Sequence, residues 1–70
     1  MIIYGRNVAN EMIEFNNKNI RKVFLQNDFN DKSIISVLQK SKLPVFYKSK
    51  KEMDNLADGN HQGIILDVMD

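Results

Sequence analysis

Four short apolar runs of β-strand type alternate with three segments of helical periodicity, and this alternation restricts the possible fold more than any other feature. The order reads β-α-β-α-β-α-β, the pattern of an α/β layered domain. Met1 to Tyr4 form a first strand ended by Gly5. Asn7 is the expected N-cap of a helix on which Val8, Met12 and Phe15 recur at i, i+4 and i+7, with Ala9 and Ile13 widening the stripe. Asn16, Asn17 and Asn19 close that helix and turn the chain into a second strand, Ile20 to Leu25, which carries a basic step at Arg21 and Lys22.

The stretch Asn27 to Asp31 has loop chemistry and supplies the cap of a second helix that buries Ile34, Ile35, Leu38 and Val37. Pro44 stops it, and Val45, Phe46 and Tyr47 form a third strand, with the proline just ahead of the ladder where no N–H is needed. Ser49 and Glu52 make a capping box, which starts a third helix with Met53, Leu56 and Ala57 inward and Gly59 as its stop. Gly63 opens the last strand, Ile64 to Val68, whose run of aliphatics predicts a central strand covered on both faces. The chain stops almost as soon as that strand does, as expected of a domain cut from a longer polypeptide and compatible also with a minimal free-standing protein.

A chain of 70 residues makes one domain, near the lower end of what a core holds together without staples, roughly 60 to 80 residues. With no cysteine, disulfides and thiolate metal sites are excluded, and the cytoplasm is the expected compartment. Every apolar run is too short for a bilayer span or a signal-peptide core, so no membrane role is expected. The net charge of +1 hides an asymmetry: residues 1–51 hold all ten basic side chains against four acidic ones, leaving +6, and residues 52–70 carry −5. Such a split permits a basic face toward a phosphate backbone; an ordinary solvated surface would have the same composition.

Candidate chemistry is sparse. His61 is the only histidine, so there is no second imidazole for a zinc site, and no spacing points to a hydrolase triad, a G-x-G-x-x-G turn or a Walker loop. In its Asn-His-Gln turn His61 reads as a structural or surface residue in preference to a general base. Lys40, Lys42, Lys48, Lys50 and Lys51 are interleaved with Phe46 and Tyr47, a mixture suited to RNA because cations pair phosphates and aromatics stack on unpaired bases. The competing expectation is that at least one of the two aromatics points into the core from its strand.

Two stretches resemble the substrate-binding domain that precedes the catalytic domain in SpoU-family (TrmH-like) RNA 2'-O-ribose methyltransferases. Tyr4-Gly5-Arg6-Asn7-Val8-Ala9-Asn10-Glu11-Met12-Ile13 is similar to that domain's opening strand-turn-helix motif, with Gly5, Arg6, Asn7, Glu11 and Ile13 matching in type. Met53-Asp54-Asn55-Leu56 and Gly59-Asn60-His61-Gln62-Gly63-Ile64-Ile65 resemble its Leu-Asp-x-Leu helix and its His-Gln-Gly turn into the final strand. Ala9 and Met12 depart from the usual residues by changes of packing, and Leu66 replaces the Ala often seen in the family.

The resemblance implies a three-layer α/β/α sandwich with a mixed four-stranded sheet, similar to the ribosomal proteins that bind kinked RNA. It also implies that the segment is non-catalytic and holds rRNA or tRNA. A separate knotted domain downstream would bind S-adenosylmethionine, dimerise the parent protein and methylate a ribose 2'-hydroxyl. Gly5 and Gly63 are expected to serve backbone geometry. Arg6, Asn7, His61 and Gln62 are expected near one end of the sheet, and Arg6, Arg21, Lys48, Lys50 and Lys51 are the expected phosphate contacts. For His61 and Gln62, fixing the loop by hydrogen bonds and touching RNA directly remain two open readings. The rival function is a protein-interaction module that docks the catalytic domain or a ribosomal partner.

Overall fold

A computed structural model describes residues 1–70 and contains the expected elements in the expected order. They are β1 (Ile2–Tyr4), α1 (Arg6–Phe15), β2 (Ile20–Gln26), α2 (Lys32–Ser41), β3 (Val45–Lys48), α3 (Lys50–Leu56) and β4 (Ile64–Val68), with one 3-10 turn at Asn17–Asn19. The strands form one sheet in the order β1-β4-β2-β3. Strand β4 runs antiparallel to both neighbours, with Tyr4 opposite Ile65 and Leu25 opposite Ile64. Strands β2 and β3 are parallel, joined by α2 as the crossover that parallel pairing requires. The sheet is therefore mixed, and β4 is central, as its aliphatic run predicts.

Alternation along the strands divides the core in two. Val23 and Leu25 of β2 and Ile64, Leu66 and Val68 of β4 point toward Ala9 and Ile13 of α1 and Ile34 and Leu38 of α2. On the opposite face Ile65 packs with Met53 and Ala57 of the α3 segment, and Phe24 joins them. Two helices on one face and one on the other make the α/β/α sandwich. Because α3 has only seven residues, it covers its face of the sheet incompletely.

Local capping accounts for the helix starts. The Asp31 carboxylate accepts from the Ile34 N–H and caps α2, and Ser49 with Glu52 forms the reciprocal box at α3. At α1 the cap is Gly5 in place of the expected Asn7, and Arg6 is the first helical residue. Gly5 and Gly63 sit at φ +100° and +83°, where a side chain is strained, which bears out their backbone role. Helix α3 ends at Leu56 with Ala57 extended, so Gly59 does not stop it. Gly59 instead lies directly against the Tyr4 ring, in space a Cβ would occupy.

Burial departs from expectation in several places. On α1 the sheet-facing residues are Ala9 and Ile13, with Met12 half-buried, while Val8 is 50% and Phe15 79% exposed. Ala9 and Ile13 join the core cluster with β2, β4 and α2, so their line faces the sheet and the 8/15 line is left to solvent. Ile35 and Val37 on α2 are half-buried only, and Leu56 on α3 is exposed. Neither Phe46 nor Tyr47 reaches the core, because β3 is an edge strand whose flanking helices leave it uncovered.

Candidate functional site

The C-terminal ends of β1, β2 and β3 and the N-terminal end of β4 lie at the same edge of the sheet. All three helices begin there, with their first residues or caps Arg6, Asp31 and Lys50 facing a common crevice of about 540 Å³. Open α/β sheets hold ligands at this end, where the connecting loops converge on helix N-termini. Phe29 is the one hydrophobic residue in the lining, beside Gln26, Asp28, Asn30, Asp54, Asn60, His61 and Gln62.

The Asn60-His61-Gln62 turn organises the crevice. His61 is 6% exposed. The Gly63 N–H donates to its Nδ1 at 2.9 Å, and its Nε2 lies 2.7 Å from an Asp54 carboxylate oxygen. A backbone N–H can only donate, so Nδ1 accepts and the proton resides on Nε2, which donates to Asp54. Both ring nitrogens are thus engaged, and His61 joins the turn to α3 as a structural link. Gln62 adopts φ +57°, and its Oε1 accepts from the Arg6 N–H at 2.7 Å. It thereby caps α1 from 56 residues away and satisfies one of the amides a helix start leaves unpaired. Its side-chain amide donors make no bond within the chain, so the loop-fixing role of Gln62 leaves them free for a ligand.

The charges of the crevice are largely paired among themselves. The Arg6 guanidinium lies 3.7 Å from Asp31, and Lys50 donates to Asp54 at 2.9 Å. The Ser33 hydroxyl, the Ile34 amide and Arg6 hold the Asp31 carboxyl below the usual carboxylate range. Asp54 is lowered first by Lys50 and then by His61, and Glu52 by the Ser49 backbone N–H and hydroxyl.

The eight sequence-predicted site residues separate by position. Arg6, Lys50, His61 and Gln62 line the crevice. Asn7 follows Arg6 at the same end, exposed and outside the lining. Lys51 is exposed in the first turn of α3, and Lys48 ends β3 beside a shallow groove on the α3 side. Neither is in an ion pair. Arg21 does not join them: it is the extra residue of a bulge between Ile20 and Lys22, at the other end of β2. Sequence reasoning missed Gln26, Asp28, Asn30 and Asp31 as crevice walls, and Asp54 as the partner of His61. The Lys50-Asp54 spacing of four in a capped helix signals the pair of those two residues, and no local pattern signals Asp54 as the partner of His61.

Fold and crevice together define a small α/β/α binding domain whose polar end is rich in amide, carboxylate and cationic groups. Residues 2–69 match the family of RNA 2'-O ribose methyltransferase substrate-binding domains, and the chain belongs to that family. No curated protein matches the chain.

Proposed function

We propose that this chain is the RNA-holding domain of an S-adenosylmethionine-dependent RNA 2'-O-ribose methyltransferase and that it presents rRNA or tRNA to a catalytic domain of the parent protein. The observation that carries this reading is the gathering of Arg6, Lys50 and Gln62 at one polar crevice, with Lys48 and Lys51 beside it, in a chain matched to the family over residues 2–69. Lys48 and Lys51, unpaired within the chain, are the phosphate contacts of first choice, while the Gln62 and Asn60 amides and Asn30 offer hydrogen bonds to sugar or base edges. Arg6 and Lys50 would exchange their carboxylate partners for phosphate only at a cost. A contact of few phosphates is weak alone, and two copies in a homodimeric parent raise it by avidity. The S-adenosylmethionine site belongs to the catalytic domain, and the cytoplasm is the compartment that fits such a substrate.

Binding of the chain to total ribosomal and transfer RNA at two salt concentrations tests this reading, with a Lys48→Glu, Lys50→Glu, Lys51→Glu variant beside it. Counterion release predicts binding that weakens as salt rises, with a log-log slope of about 0.7 to 0.9 per phosphate neutralised, and loss in the variant. No binding at low salt would overturn it.

The alternative, a module that docks the catalytic domain or a ribosomal partner, draws support from α1. Val8 and Phe15 are exposed there beside Met12 and form a shallow surface that shares no residue with the crevice. A salt slope near zero would favour it.

A further inference from the structure

The face of the sheet that α3 leaves half covered carries a feature outside the crevice lining, which shares only Lys48 with the contacts proposed above. Phe24 of β2 and Phe46 of β3 are register partners on this face, with ring centroids 6.0 Å apart and planes tilted by 38°. Phe46 is 44% exposed although it lies on an edge strand, where an uncovered phenyl ring is an aggregation hazard. The Lys22 ammonium stands 5.9 Å from the Phe46 ring centroid, and Lys48 follows Phe46 two residues on, on the same side of the strand. Neither lysine is in an ion pair. A groove of about 270 Å³ lies beside them, lined by Phe24, Lys48, Glu52, Asn55 and Leu56. Of the carboxylates on this side, Glu52 is engaged in the α3 capping box and feels the Lys48 charge, and Asp67, opposite Lys22 in the register, lies 3.9 Å from the N-terminal ammonium.

We infer that this strip is a second RNA contact, which takes an unpaired base from a single-stranded stretch: the base stacks on Phe46, and the flanking phosphates pair with Lys22 and Lys48. The inference rests on the RNA reading above and adds to it a preference for unpaired nucleotides. An exposed aromatic bracketed by two cations outside any salt bridge, with Asp67 opposite Lys22 and Glu52 near Lys48 as their nearest carboxylates, is an arrangement that single-stranded RNA fits, because every base offers a π-face and every linkage a negative charge. A protein segment would gain from the apolar rings but leave both ammonium groups without partners unless it were acidic.

The test compares a single-stranded oligouridine with an RNA duplex as ligands of the chain. Phe46→Leu, which keeps apolar bulk and removes the π-face, is expected to weaken oligouridine binding by about 5- to 100-fold and to leave duplex binding unchanged. Phe46→Tyr is expected to retain both. On the unaltered chain, irradiation with a thiouridine-containing single strand should place the cross-link on Phe46 or Phe24, which decides the matter even if the leucine variant folds poorly. Oligouridine binding unaffected by Phe46→Leu, with cross-links confined to the crevice residues, would overturn the stacking strip and leave the crevice reading intact. Absence of binding to either RNA would overturn both.

Discussion

The side-chain oxygen of Gln62 accepts from the backbone N–H of Arg6 at 2.7 Å, so the turn before the last strand caps the first helix. This bond closes the domain between its two ends. It also holds Arg6, whose side chain reaches Asp31 at the cap of α2, so a single turn fixes the mutual positions of α1, α2 and β4 at the crevice.

Removing that cap has a measurable cost. Gln62→Ala should lower stability by about 1 kcal/mol, a fall in Tm of roughly 4–8 °C for a domain of this size. Gln62→Gly should lose the same bond yet be the more stable of the two by up to about 1 kcal/mol, since φ +57° suits glycine. Thermal unfolding of the two variants side by side measures both effects, and equal stabilities would show that the backbone relaxes.

His61→Ala should destabilise by about 2–3 kcal/mol, because it leaves the buried Gly63 N–H unpaired and a gap where the buried ring stood. In His61→Asn a side-chain oxygen can again accept from the amide two residues on, so a smaller loss is expected. Hydrogen exchange at Gly63 reads this directly: fast in the alanine variant, slower in the asparagine one.

The orientation of α1 separates two substitutions that sequence periodicity treats alike. Ile13→Ala should cost about 2–5 kcal/mol as a core truncation. Phe15→Ala, at 79% exposure, should stay within about 0.5 kcal/mol of the parent. Urea unfolding of both checks which stripe faces the sheet.

Acid should weaken the fold through Asp31, Glu52 and Asp54. Each is held below its ordinary value in the folded state, so its contribution is present above the ordinary carboxylate pKa of about 4 and is lost as pH falls through the lower folded value. Stability should therefore show no change from these groups above about pH 5 and decline below about pH 4. Lys50→Ala should raise the Asp54 midpoint, because Lys50 is the first cause of its depression. Carbon NMR titration of the Asp54 carboxyl measures that shift.

For RNA, Lys51→Glu should weaken binding to an RNA duplex, which the strip at Lys22 does not take, and lower its salt slope more than Arg21→Glu does. Arg21 lies five residues of β2 before Gln26, about 17 Å along the strand. That exceeds the screening length of about 8 Å at physiological salt. Equal effects of the two substitutions would mean that RNA tracks the whole length of the sheet.

Much of the layer pattern was legible in the sequence because it rests on local chemistry. The Ser49 box, the Asp31 cap and the aliphatic run from Ile64 carry their own physical signals in adjacent residues. The resemblance on Gly5-Arg6-Asn7 and His61-Gln62-Gly63 also placed these two turns at one end of the sheet, where the structure has them.

What the sequence left open depends on which neighbour a residue meets across the fold. On α1 the stripe through Val8, Met12 and Phe15 and the stripe through Ala9 and Ile13 overlap, and periodicity weighs both as apolar; packing against the sheet and α2 selected the second. Arg21 and Lys48 look equivalent as basic strand residues, yet a bulge and the strand direction put them at opposite ends. The partners of His61 and Gln62 lie 7 and 56 residues away, at Asp54 and Arg6. The sequence by itself determined the elements, the N-caps of α2 and α3 and the polar character of the two turns, because those follow from adjacent residues. Tertiary structure alone decided which polar groups satisfy one another and which remain free at the crevice, because a hydrogen bond depends on distances that only the packed sheet and helices set.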